Sequence, residues 1–333
     1  LLIAVGSTTG GIRIMDSSTF NTLVKDSPNL CHDMLIRSLD WHCDGITLAS
    51  ISDDRNIKIW TMDVPSGTAP ASVTQPTWSC LVTLSSSSGD PSPSLGPHGM
   101  DTSVDLPSED KDMEWFLCGQ FSPNGDQFAA GDISGNLFVW DTDMFSCVSR
   151  VEAHSSMLKA LSFNHDGTLV ATSGADHKIR VWSTEESPYS LKHTLDCDGQ
   201  GEEIECLSWH VDGNSLAVGT DNSALVYNVN SGRVATFLEG CCIRGSSLAF
   251  SPNGKFFAAT GPDQLIRVWT VVTNKRSGDV ELKPLQDIKP TVIPHKVYAV
   301  VWEPSSVQAR TFLALGGSEQ KGSLHKLVDH VQA

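Results

Sequence analysis

The chain has 333 residues, of which 40% are hydrophobic, 19% charged and 7% aromatic. That is ample for a sizeable core, and no run approaches the ~20 apolar residues of a membrane span, so a soluble chain is expected. Lys and Arg number 23 against 39 Asp and Glu, a net charge of -16, which argues against a nucleic-acid partner because phosphate binding needs a basic footprint.

Nine cysteines are scattered and odd in number, and no Asn-x-Ser/Thr acceptor occurs. Both features point to a reducing compartment, cytoplasmic or nuclear. The chain opens on Leu1 without an initiator Met and without a basic, then apolar, leader, so an incomplete N-terminus is expected.

In chain order, Leu1 to Asp16 reads as two strands. From there one pattern recurs five times: an apolar-alternating strand ending in an aromatic, a Gly turn, a second strand, and a third strand closed by another aromatic. The opening aromatics are Trp41, Phe121, Phe163, Trp209 and Phe250, and the closing ones Trp60, Trp140, Trp182, Tyr227 and Trp269. Their separations are 19, 19, 19, 18 and 19 residues, a register that chance does not hold. The turns are Asp44-Gly45, Asn124-Gly125, Asp166-Gly167, Asp212-Gly213 and Asn253-Gly254, pairs that supply the positive φ of tight hairpins. Three residues before each opening aromatic stands a small residue, Ser38, Cys118, Ala160, Cys206 or Ser247, and Ala299 continues the series, as crowding near a central axis demands. Cys118 and Cys206 are therefore read as packing residues rather than reactive ones.

Between the first and second repeats lies an insertion. Residues 59–110 hold seven prolines and no Lys or Arg, and only Thr77 to Leu84 reads as β, an outer strand for the Trp60 repeat. The Pro/Ser-rich remainder, about 85–110, cannot bury enough surface to order itself and is read as a long surface loop.

This repeat resembles the WD-repeat (β-transducin) propeller family. The resemblance rests on a His before the inner strand, a Ser or Thr on the second strand, an Asp in the next turn and a closing Trp. Two repeats carry all four: His32, Ser50, Asp54 and Trp60, then His154, Thr172, Asp176 and Trp182. In that family the four side chains form a buried hydrogen-bond relay, so these His and Asp residues are assigned a structural role and not a catalytic one. Other repeats depart from the pattern: Ser134 and Asp112 stand where Asp and His are expected, and Gln200 and Cys241 replace His beside Asp221 and Asp263. The resemblance implies an all-β, seven-bladed propeller of four-stranded antiparallel blades, forming a single domain over 1–333. Its first blade is incomplete, with Met15 at the closing-Trp position, and a looser last blade spans Val297 to Trp302, Thr311 to Gly316 and Ser323 to Val328.

Catalytic and metal motifs are absent from the sequence. There is no Cys-x-x-Cys, no His-Glu-x-x-His, no Gly-x-Ser-x-Gly, and Gly240 and Gly245 are followed by Ser where a phosphate loop needs Lys. No metal, cofactor or enzymatic activity is expected. WD-repeat proteins usually take peptides at the upper channel and rim, which the residues six and four before each opening aromatic would line. Six before stand Leu35, Trp115 and Met157, from three successive repeats; four before stand Arg37, Lys159 and Tyr298. Apolar residues at a solvent-facing mouth point to a contact patch, and Trp is a favoured anchor. The expected function is a non-catalytic scaffold that binds other proteins at this rim within a multisubunit complex, with no membrane role. The alternative is a propeller enzyme or small-ligand binder whose channel groups would be Arg37, Lys159, Glu205 and Tyr298.

Overall fold

A computed structural model describes residues 2–16, 21–24, 27, 29–63, 77–84, 115–196, 203–221, 223–239, 247–260, 266–274, 276, 278–288, 301–302, 311–315 and 323–327. Among these residues every regular element is a β-strand, and no helix is long and apolar enough to cross a membrane. The chain forms two compact units, Leu1–Glu152 and Ala153–Ala333.

The first unit holds three antiparallel sheets. Strands β1 (Leu2–Gly6), β2 (Ile12–Asp16) and β3 (Thr22–Val24) form a three-stranded sheet. Strands β4 (Ile36–Trp41), β5 (Thr47–Ser52), β6 (Ile57–Asp63) and β7 (Thr77–Leu84) form the next, and β7 has the bounds read from the sequence. Strands β8 (Phe116–Phe121), β9 (Gln127–Asp132), β10 (Asn136–Asp141) and β11 (Cys147–Glu152) form the third.

The second unit continues the series. Strands β12 (Leu158–Phe163), β13 (Leu169–Gly174), β14 (Lys178–Ser183) and β15 (Ser190–Asp196) make one sheet. Strands β16 (Ile204–Trp209), β17 (Ser215–Thr220), β18 (Ser223–Asn228) and β19 (Arg233–Glu239) make the next. Then come β20 (Leu248–Phe250), β21 (Phe256–Thr260), β22 (Ile266–Thr273) and β23 (Val280–Ile288), and last a two-stranded sheet of β24 (Thr311–Leu315) and β25 (Ser323–Leu327). Five four-stranded meanders correspond to the five sequence repeats, the blade architecture of a β-propeller, and the first sheet is a blade without its innermost strand. The insertion at 85–110 and Asp112, Gln200, Cys241 and Asp263 lie outside the described residues.

Register explains why the repeat is so regular. In four of the inner hairpins the pairing skips one residue, so that Ile36 pairs with Ser52 and Ser38 with Ile51 while Arg37 is left over. The same bulge sets aside Leu117, Lys159 and Glu205 in the β8, β12 and β16 strands. A second bulge falls just before each closing aromatic, at Ile59/Trp60, Val139/Trp140, Val181/Trp182, Val226/Tyr227 and Val268/Trp269. It recurs at Ile14/Met15, which puts Met15 in the closing position, as the sequence suggests.

The core is a set of slabs between consecutive sheets. One slab joins Ile51, Ile57 and Ile59 to Phe116, Phe121, Phe128 and Trp140, with Phe116 and Phe128 fully buried. Comparable slabs lie between the β12–β15 and β16–β19 sheets and between the β16–β19 and β20–β23 sheets. Small residues are needed where the slabs are thinnest. A Cβ on Gly119 would lie 2.5 Å from Ile51 Cδ1, and one on Gly219 would lie 2.5 Å from Cys206 Sγ. Burial pushes the Cys118 thiol up to about 12, so it is protonated and inert, in keeping with the packing role read from the sequence.

Candidate functional site

The relay residues converge as the sequence spacing requires. On β6 the Trp60 indole donates to Ser50 Oγ at 2.7 Å, Ser50 Oγ lies 2.6 Å from His32 Nε2, and His32 Nδ1 lies 2.7 Å from Asp54 Oδ2. Asp54 is ionised and can only accept, so Nδ1 carries the imidazole proton and Nε2 accepts the Ser50 hydroxyl. In the β12–β15 blade Trp182 donates to Thr172 Oγ1 at 2.9 Å, Oγ1 lies 2.9 Å from His154 Nε2, and His154 Nδ1 lies 2.8 Å from Asp176. His32, Ser50, His154 and Thr172 are buried. Such a chain joins two strands, the turn between them and the loop before the inner strand.

The electrostatics fit a structural device. Burial raises the Asp54 carboxyl, but the His32 hydrogen bond and the Asn56 and Asp33 amides outweigh it and hold it at about 2. Burial likewise raises Asp176, and Arg180 and His154 bring it down to about 2. Burial and the neighbouring Arg180 charge depress His154 despite Asp176, so its imidazole is neutral. Neither relay is open to a substrate.

The rim residues are held in a repeated way that the sequence does not show. The carbonyls of Leu35, Trp115 and Met157 each accept one amide, from Asp53 (2.9 Å), Ile133 (2.9 Å) and Ala175 (2.8 Å), each 18 residues downstream. This pins the backbone at the mouths of β4, β8 and β12, and the bulge that follows re-aims Arg37 or Lys159. In the first unit Asp53 gathers three of the expected residues. Its N–H binds the Leu35 carbonyl, and its carboxylate accepts Arg37 Nε at 2.5 Å and Nη2 at 2.9 Å and the Trp115 indole at 3.1 Å. Leu35 and Trp115 are half-buried, and Met34 beside them is 51% exposed.

In the second unit Met157 is 41% exposed. Lys159 Nζ is ion-paired with Glu203 and, at 3.0 Å, with Glu205. Burial lowers the lysine, but the two carboxylates outweigh it and raise it, so it stays charged. The Glu203, Glu205 and Asp221 carboxylates lie close together there, and Lys159 is paired with the first two. Tyr298 lies outside the described residues.

Sequence reasoning missed Asp53 because it adjoins the relay residue Asp54, and only the register separates their roles. It also missed Asp132 in the β8–β11 blade, whose carboxylate accepts the amides of Ser134 (2.9 Å) and Asn136 (2.7 Å). The Asp-x-x-x-Asn spacing of Asp132 and Asn136 is the signal that was there to be read.

Comparison with known proteins agrees with this architecture. The family model "WD domain, G-beta repeat" matches residues 27–61, 114–141, 145–183, 189–228 and 235–270. The chain is similar to protein groucho of Drosophila melanogaster, 24% identical over 242 residues, which is 72% of this chain and 27% of that protein. The chain thus spans about a quarter of that relative's length. With five repeats matched over more than half of its length, and two intact relays in the buried positions, the chain belongs to the WD-repeat family.

Proposed function

We propose that this chain is a non-catalytic interaction scaffold, one seven-bladed propeller over 1–333 whose inner-strand rim binds peptide segments or partner domains of other proteins. The observation that carries this reading is the repeated pinning of the Leu35, Trp115 and Met157 carbonyls, which fixes the backbone while apolar side chains remain at the strand mouths. Rigid anchors of this kind bind with little ordering cost. Arg37 and Lys159 supply charge beside them, and Tyr298 completes the series.

A multisubunit assembly in the cytoplasm or nucleus is the setting proposed, with neither nucleic acid nor membrane as partner. A channel enzyme has less support, because Lys159 is already matched by Glu203 and Glu205 and offers no free base.

The test is site-specific photo-crosslinking in cells. A photoreactive residue at Leu35 or Met157 should capture one reproducible partner, and the same probe at Val211, in the turn after Trp209, should not. Equal capture from all three positions would sink the rim reading.

A further inference from the structure

Two turns in the molecule are built alike and both grip the following blade. After β4 the sequence is Trp41-His42-Cys43-Asp44-Gly45, and after β16 it is Trp209-His210-Val211-Asp212-Gly213. His42 Nε2 lies 3.0 Å from the carbonyl oxygen of Gly125, and His210 Nε2 lies 3.0 Å from that of Gly254. Both glycines sit in the corresponding turn of the next blade. The His42 ring meets Phe121 edge-on at 5.1 Å, and His210 meets Phe250 at 5.1 Å. On the same seams the Phe121 amide donates to Asp40 Oδ2 at 2.7 Å and the Phe250 amide to Ser208 Oγ at 3.0 Å.

A carbonyl only accepts, so both rings carry their proton on Nε2, the opposite tautomer from His32. Nδ1 then accepts the amide of the turn aspartate, Asp44 at 3.2 Å or Asp212 at 3.3 Å. The aspartate carboxylate nevertheless stands 3.0 Å from Nδ1 in each turn. Facing a neutral Nδ1 that oxygen meets a lone pair; facing an imidazolium it accepts a proton.

We propose that the Trp209-His210 turn is a pH-responsive latch on its blade seam: protonation makes the bond from Nε2 to Gly254 charge-assisted and locks the ring to Asp212, so the seam tightens as pH falls through neutrality. Burial lowers His210, but Asp212 and the Gly254 carbonyl outweigh it, and the ring is raised above its ordinary range. Asp212 is its charged neighbour within the turn, and Lys255, next to Gly254, is the charged residue of the facing turn. The His42 turn repeats the geometry, with Asp44 in the turn and Asp126 in the facing turn, but burial lifts Asp40, which accepts the Phe121 amide, to about 7, so protonation there weakens the seam and the latch is assigned to His210 alone.

The β12–β15 blade supplies an internal contrast. Asn164 holds the place of the histidine there, but its amide serves its own turn, accepting from Leu169 at 2.9 Å and donating to Thr168 Oγ1 at 3.3 Å. That turn has no titrating latch.

The experiment is NMR of the whole chain. His210 is titrated through its ring signals, and the exchange protection of the Phe250 amide is measured at about pH 6 and pH 8 relative to Val218 inside β17. The expected result is a His210 midpoint above 6.5 and Phe250 protection about three- to tenfold higher at the lower pH, each pKa unit being worth at most tenfold. In His210→Gln, whose amide still reaches Gly254, protection should be equal at both values. Asp212→Asn should return the ring to 6.5 or below and abolish the dependence. The same pH dependence in wild type and His210→Gln, or a wild-type midpoint at or below 6.5, overturns the proposal.

Discussion

The Trp302 indole N–H donates to the carbonyl of Ala249 at 2.9 Å. Trp209 donates to Ser162 at the same 2.9 Å, and in both cases the acceptor immediately precedes the opening aromatic of the blade before. Trp302 is therefore the opening aromatic of the next blade, although no Asp-Gly or Asn-Gly turn follows it in the sequence. Trp302→Phe keeps the stacking on Phe256 (6.2 Å, 16°) and loses the hydrogen bond, so about 1 kcal/mol of stability should go. Trp302→Ala should cost about 3 kcal/mol or more. Denaturant unfolding with equal losses for the two variants would contradict this placement.

The relay gives the second prediction. Asp176→Ala should cost about 1–3 kcal/mol by leaving His154 and Arg180 short of their acceptor. Gly174→Ala should reach the same end by a different route. A Cβ there would stand 2.4 Å from His154 Nδ1 and 2.7 Å from Asp176 Oδ1, so the ring must leave its place. The two losses should not add when combined, because either one already breaks the chain. Full additivity in thermal unfolding would mean that Gly174 and Asp176 act independently.

A stabilising substitution follows from the backbone. Arg55 has φ 70, and Gly135 occupies the corresponding place, five before the closing Trp, with φ 89. A side chain is strained in this region, by roughly 1 kcal/mol, and Arg55 is exposed. Arg55→Gly should raise the melting temperature by a few degrees or, at worst, leave it unchanged as glycine's chain entropy offsets the relief. A clear drop would show that Arg55 makes a contact worth more than the strain.

Acid stability carries a definite sign. Asp54 and Asp176, held at about 2 in the fold against 3.8 ordinarily, stabilise it above 3.8, and this is lost as pH falls toward 2. His154 is depressed below 6.5, so the unfolded chain takes its proton first and stability also falls as pH drops below 6.5. His210 is raised and works the other way, adding stability below 6.5 that disappears as pH rises through its folded value. In melting curves across pH, Asp176→Ala should flatten the acid limb, and His210→Gln should remove a decline on the neutral-to-alkaline side. Unchanged slopes in both variants would refute these assignments.

The five blades were legible because aromatic spacing and Asp-Gly or Asn-Gly turns are local, and the relays because four residue types recur at fixed offsets. What stayed hidden depends on register. A bulge at Arg37 or Lys159 adds one unpaired residue that no composition signals, and it decides where those side chains aim. Asp53 was illegible for the same reason: beside Asp54 it reads as a second turn acid, yet its partners, Leu35, Arg37 and Trp115, lie up to 62 residues away. The His42 and His210 contacts reach across to the next blade's turn, and spacing within one blade carries no signal of them.

The rim claim is tested most directly by calorimetric titration of the partner captured at Leu35 into wild type, Trp115→Phe and Trp115→Ala. The Phe variant loses the bond to Asp53 and keeps an aromatic anchor; the Ala variant loses both. Trp115→Ala should weaken binding by about 2 kcal/mol, roughly 30-fold, with Trp115→Phe intermediate and thermal stability falling less than in Asp176→Ala. Wild-type affinity in Trp115→Ala, with the fold intact, would contradict the rim as the binding surface.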